Sequence, residues 1–109
     1  TLVRERIRQA KILVVEANYC PKLLEADHKR PWSLKQRIRS RHGHLSNQST
    51  FELLNSYRSP YWREIFIMHL SKDCNDVGLV KNQFRKLNGL GNRFKTYVID
   101  PNSAKPHQI

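Results

Sequence analysis

"EIFIMHL", residues 64–70, is the stretch on which the fold turns. It is almost wholly apolar and alternates poorly, the pattern of a strand covered on both faces rather than of a surface hairpin. Working outward, "KILVVEA" (11–17) is a second short β-branched run that suits a buried strand, and "RFKTYVID" (93–100) reads as a third. Helical spacing fills the intervals. Leu2, Val3, Ile7 and Ala10 recur on one face before the first strand, and Ser46 or Asn47 offers an N-cap to a helix whose apolar face is Phe51, Leu53, Leu54 and Tyr57. Asp76 can cap "VGLVKNQFRKLN" (77–88), where Val77, Val80, Phe84 and Leu87 form a stripe that ends at Gly89 or Gly91. The segment 18–41 is polar and broken by Pro21 and Pro31; Leu34 and Ile38, four apart, predict a short helix capped by Ser33. "PNSAKPHQI" (101–109) reads as a tail. Helices alternating with short apolar strands indicate an α/β layer arrangement, and three strands leave a sheet so narrow that it needs a larger sheet or a partner chain.

A chain of 109 residues is at most one domain and buries roughly two-thirds of the surface its unfolded form exposes. Hydrophobic content of 39% supports a folded unit, so disorder is not expected. Twenty Lys and Arg against nine Asp and Glu give a formal charge of +11, which favours a polyanionic partner, nucleic acid first and anionic membrane as its competitor. No run approaches the ~18 apolar residues of a spanning helix. The N-terminus has charges where a signal peptide needs an apolar centre, so a cytoplasmic chain with no membrane association is expected. Cys20 and Cys74 lie far apart without a CxxC pattern, which predicts two buried or half-buried thiols rather than a zinc ribbon or a disulfide framework.

The chemistry rests with the histidines. His69 ends the apolar strand, where a side chain can project from a rigid scaffold into a cleft at the strand's C-terminal edge. It is a candidate metal ligand, with a satisfied core histidine as the plain alternative. His44 lies just before a helix N-terminus, where free N–H groups attract anions such as phosphate; a solvated loop histidine is its alternative. His42, His28 and His107 are less well placed. Glu16 ends its strand and Asn18 follows it closely, so both can line the same cleft, although Glu16 can equally orient a loop. Lys29, Arg30, Lys35, Arg37, Arg39 and Arg41 crowd into thirteen residues around Trp32. Such a patch would bind a phosphate backbone in a strongly salt-dependent way, or would simply be a solvated basic surface.

"EANYCPKLLEADHKRPWSLKQRIRSRHGHLSN", followed after a helix by "IMHLSKDCN", resembles the C-terminal half of metallo-β-lactamase-fold phosphodiesterases of the YycJ/WalJ exonuclease type. The resemblance covers roughly residues 1–100, and the two histidine motifs with "LKQRI" between them make it specific. It implies part of an αββα sandwich over 1–100 with 101–109 as tail. His69 matches the last metal-ligating histidine of a site for two divalent ions, zinc or manganese. His44 matches the histidine placed over the scissile phosphate as proton donor. Lys35 and Arg37 match basic family positions for phosphate binding or loop support, and Arg41 and Asn18 are grouped with them as phosphate-binding candidates. Tyr19 and Cys20 stand where His and Asp are common, so no ligand role is carried over to that pair.

The family's main ligand cluster, HxHxDH, and its "D-x-G" aspartate are absent from these residues. A half-domain of this kind is expected to expose an apolar inner face to its missing N-terminal half or to a second chain. Two-metal hydrolysis needs ions about 3.5–4 Å apart, which His69 alone does not cage. The expectation is therefore half of a metal-dependent nucleic-acid phosphodiesterase, DNA more than RNA, inactive alone. The competing expectation is a non-catalytic basic nucleic-acid-binding or assembly module.

Overall fold

The structure, a computed structural model, describes residues 2–41, 43–87, 93–103 and 105–109. In chain order it has α1 (Leu2–Gln9), β1 (Ile12–Glu16), α2 (Pro21–Ala26), α3 (Trp32–Arg39) and α4 (Asn47–Ser56). There follow β2 (Glu64–Met68), α5 (Val77–Phe84), a 3-10 turn (Arg85–Leu87), β3 (Lys95–Ile99) and β4 (Pro106–Gln108). The sheet has four strands in the order β1-β2-β3-β4, the first three parallel and the last antiparallel to β3. No helix among the described residues is long and apolar enough to cross a membrane.

The apolar runs form strands as expected, but they are covered on one face. Along β2, Ile65 and Ile67 are fully buried while Glu64 and Phe66 are half-buried and Met68 is exposed. Ile65, Ile67 and Val98 pack with Leu54 of α4, Val80 and Phe84 of α5, and Leu87 in a single core. Phe51 and Phe84 meet edge to face across the two helices, a favourable ring arrangement. Burying each of these side chains stabilises the fold by about 1.5–3 kcal/mol. Trp62 joins the same core with its indole N–H donated to the Ile7 carbonyl at 2.7 Å, so its polar edge is satisfied while its rings are buried. The cross-strand row Val14, Phe66, Tyr97 lies on the other face, with the two rings stacked at 5.1 Å. Ile12 is 56% and Val14 63% exposed there. An unbroken apolar sequence cannot show which face lacks a covering layer, because here both faces carry apolar side chains.

Three local expectations are corrected. Pro21 opens α2 rather than breaking the chain, since proline at the first helical position surrenders an N–H that has no intrahelical partner. Pro31, not Ser33, is the N-cap of α3. The expected tail contributes β4, so the sheet has four strands instead of three; Ile109 also donates its N–H to the Thr96 carbonyl. Ser46 and Asp76 do cap α4 and α5, each accepting from the N–H three residues on. The glycines at 89 and 91 lie outside the described residues.

Candidate active site

Three side chains from distant parts of the sequence converge at the C-terminal edge of the parallel strands. Glu16 is the last residue of β1, His69 follows β2 directly, and His44 stands three residues before α4. Glu16 Oε1 lies 2.7 Å from His44 Nδ1 and 2.5 Å from His69 Nδ1, and its Oε2 accepts from the Leu45 N–H at 2.9 Å. The two imidazoles meet edge to face with centroids 5.2 Å apart. All three residues offer ligand atoms within 4.8 Å of one another.

The electrostatics assign the protons. Burial pushes the Glu16 carboxyl up, but hydrogen bonds from the Leu45 amide, His44 and His69, together with the charge of His44, outweigh it and hold Glu16 below its usual range. An ionised carboxylate only accepts hydrogen bonds, so both Nδ1 atoms donate to it. This fixes the rings and leaves both Nε2 atoms for other partners.

Each histidine is held by a different device. The backbone at His69 is left-handed, with φ 63, a conformation that is uncommon and costly outside glycine and that clusters at functional sites. Asn18 secures it by donating its side-chain amide to the His69 carbonyl at 2.8 Å, while the Asn18 carbonyl accepts from Ser71 N–H at 2.7 Å. His44 is placed by the end of α3: its N–H and that of Gly43 bond the carbonyls of Ile38 and Ser40. A Cβ at residue 43 would run into the Arg37 and Ile38 carbonyls, so the close approach requires glycine. Beneath the site, Asn47 and Asn75 exchange side-chain amide hydrogen bonds at 2.8 Å, and Asn75 also donates to the Ala17 carbonyl. This buried pair ties the start of α4 to the segment after β2.

The other candidates are placed differently. Asn18 lines the cavity beside the histidines, yet its amide is engaged by His69. Lys35 donates its ammonium to the Glu25 carbonyl of α2. Arg37 and Arg41 are exposed, and neither lines that cavity. The cations that do line it are Arg30 and Lys72. Glu16, weighed as either cleft-lining or loop-orienting, orients the loop through the Leu45 N–H and His44, and is not among the residues that line the cavity. Its place as the last residue of a strand was the available signal, one shared by many strand-ending carboxylates. Cys20 is half-buried and Cys74 buried, both as free thiols. His28 and His107 lie outside the cluster, and His42 lies outside the described residues.

One carboxylate and two imidazoles match in kind the three-ligand set of a catalytic metal site. With both Nδ1 protons directed at Glu16, the outward Nε2 atoms are the ligand positions left, which fits one histidine arm of a larger site. Among the described residues no second group of acidic, thiol or imidazole side chains gathers in this way, so a second ion would need donors from elsewhere.

Comparison with known proteins shows a distant relationship in sequence. The chain is 33% identical over 105 residues to exodeoxyribonuclease WalJ from two strains of Streptococcus pneumoniae. The alignment takes in 92% of this chain and 39% of the relative. No family model matches, and no solved structure matches. The chain is thus a distant relative of an exodeoxyribonuclease and spans well under half of that protein's length.

Proposed function

We propose that this chain forms the C-terminal part of a metallo-β-lactamase-like phosphodiesterase acting on nucleic acid, DNA rather than RNA, in the cytoplasm. The observation that carries the reading is the single oxygen, Glu16 Oε1, that accepts from both His44 and His69. A carboxylate in this position turns two imidazoles outward in defined tautomers, the arrangement that ligand and proton-donor histidines need.

In this reading His69 presents its Nε2 lone pair as a metal ligand. A bound divalent ion, zinc or manganese and one of two in the complete site, would supply Lewis acidity and an activated water. His44 in its imidazolium form would donate its Nε2 proton to the leaving oxygen as the P–O bond breaks. Glu16 stays ionised and stabilises that imidazolium before transfer. Glu16 shares the strand parity of Ile12 and Val14, so the site sits at the rim of the uncovered sheet face. A layer packed on that face, from a missing N-terminal half or a second chain, would meet the site and bring further ligands.

The test is His44→Ala in the enzyme assembled with that layer. The variant should keep its fold and bound metal and lose most turnover; normal hydrolysis would sink the assignment. The 109-residue chain alone should show no nuclease activity with added zinc or manganese.

A second reading, a non-catalytic nucleic-acid-binding module, is favoured by one feature: Trp32 is 69% exposed at the head of the basic α3. It predicts salt-dependent DNA binding that is insensitive to chelators and to His69→Ala.

A further inference from the structure

Beside His44 and His69 is a half-open cavity of about 490 Å³, a size typical of small-molecule sites. The proposed chemistry uses its histidine wall but none of the rest. Its other surfaces are of two kinds. Leu34 and Ile38 from α3 join Tyr19 and Leu24 in an apolar lining; Tyr19 and Leu24, with Ile38 packed against them, belong to a small cluster distinct from the main core, while Leu34 is exposed. Arg30 and Lys72 contribute cations.

These cations are not equivalent. Arg30 bonds Asp27 Oδ2 at 3.3 Å and Asp73 Oδ2 at 3.5 Å, and Lys29 adds a 3.4 Å pair to Asp73. That network fastens the segment between α2 and α3 to the one after β2, and it neutralises Asp73 within the cavity lining. Lys72, exposed and three residues beyond His69, makes no ion pair among the described residues. Its charge is free for an incoming anion.

We propose that this cavity is a subsite for one nucleotide unit, with phosphate at Lys72 and the outward edges of the histidines and the base against Leu34 and Ile38. The proposal rests on the phosphodiesterase reading and adds the residues that hold the nucleoside next to the scissile phosphate. The combination of a free cation and an apolar lining suits a nucleotide better than either half of one. A bare phosphate leaves the apolar lining unused, and a nucleoside leaves Lys72 unpaired.

The test is titration of the 109-residue chain, followed by amide NMR signals, with deoxyadenosine 5′-monophosphate, deoxyadenosine and inorganic phosphate separately. The monophosphate should bind at least about tenfold more tightly than either fragment, a difference large enough to read directly. It should move the signals of Leu34, Ile38 and Lys72 together. Lys72→Gln, at an exposed position, should reduce its affinity to that of deoxyadenosine. Leu34→Trp, at a position 36% exposed and so tolerant of a larger ring, should fill the apolar part and reduce it to that of phosphate. Equal affinity for phosphate and the monophosphate, or signals that move at the histidines but not at Ile38, would overturn the subsite. So would unchanged binding in the Leu34→Trp chain. Failure here, with His44-dependent hydrolysis intact in the assembled enzyme, removes the subsite alone; normal turnover after His44→Ala removes the phosphodiesterase reading instead.

Discussion

The tripeptide His-Leu-Ser occurs twice, at 44–46 and at 69–71, and the two copies reach one carboxylate by different routes. The second copy continues directly from β2, so the sheet positions His69 and only its left-handed backbone needs support, from Asn18. The first copy hangs from the end of α3 through Gly43 and then becomes the cap of α4. In both, the serine hydroxyl accepts a backbone N–H three residues on: Ser46 from Ser49 and Ser71 from Cys74, each at 3.0 Å. Both runs close on an asparagine, and those two asparagines bond each other. The same three residues therefore serve as a strand extension in one place and a helix entry in the other. What makes them equivalent is the contact with Glu16 above and the amide pair below.

The comparison can be broken most severely at the chemistry. His44→Ala should lower turnover of the assembled enzyme by about 10²–10⁴-fold, the usual contribution of a positioned proton donor, with metal content unchanged. His69→Ala should lower metal content first, as measured by elemental analysis of the dialysed protein. Equal metal loss in both variants would show that the two histidines have the same role.

Smaller effects separate the supports. Asn75→Ala leaves the Ala17 carbonyl, the Asp76 N–H and the Asn47 amide short of partners, and each buried group so stranded costs about 1–3 kcal/mol. Its melting temperature should fall, and the signals of both histidines should shift together. Gly43→Ala should cost about 1–3 kcal/mol by overpacking against α3 and should move His44 while leaving His69 in place. Ser46→Ala removes the cap of a ten-residue helix and should cost about 1 kcal/mol. Ser71→Ala, which frees one N–H in a turn, should cost less, and denaturant midpoints will show the order.

Acid should loosen both copies at once. The Glu16 carboxyl lies below its ordinary value of 4.5, so its stabilising effect is complete above that value and disappears as pH falls through the lower, folded one. Thermal melts of the native chain should lose stability across that window, and melts of Glu16→Gln should lose less.

Much of this was legible in the sequence, and the rest was hidden for reasons particular residues show. His44 and His69 announced themselves by motif, and Ser46 and Asp76 by capping chemistry. Lys35 and Arg37 were marked by charge, but charge does not say which way a helix turns its side chains; Lys35 turned toward α2. Lys72 stood inside a quoted motif and drew no notice, because its importance depends on which cavity it lines and on whether a carboxylate pairs with it, and neither shows in the sequence. The apolar runs alone hid the half-covered sheet, since Val14 and Phe66 are as apolar as Leu13 and Ile67; the expectation of an exposed apolar face came from the family resemblance instead. β4 is three residues long and starts with proline, too short for any periodicity to show.

That last strand gives the sheet a direction of growth. β4 takes the hydrogen-bonding edge of β3, and Pro106 has no N–H to offer a further neighbour, so this side makes a poor template for another strand. At the opposite margin β1 pairs only with β2 among the described residues. An incoming β-chain, whether from the same polypeptide or a different one, would extend the ladder from Ile12–Glu16, and would add its backbone alongside the strand that carries the shared carboxylate.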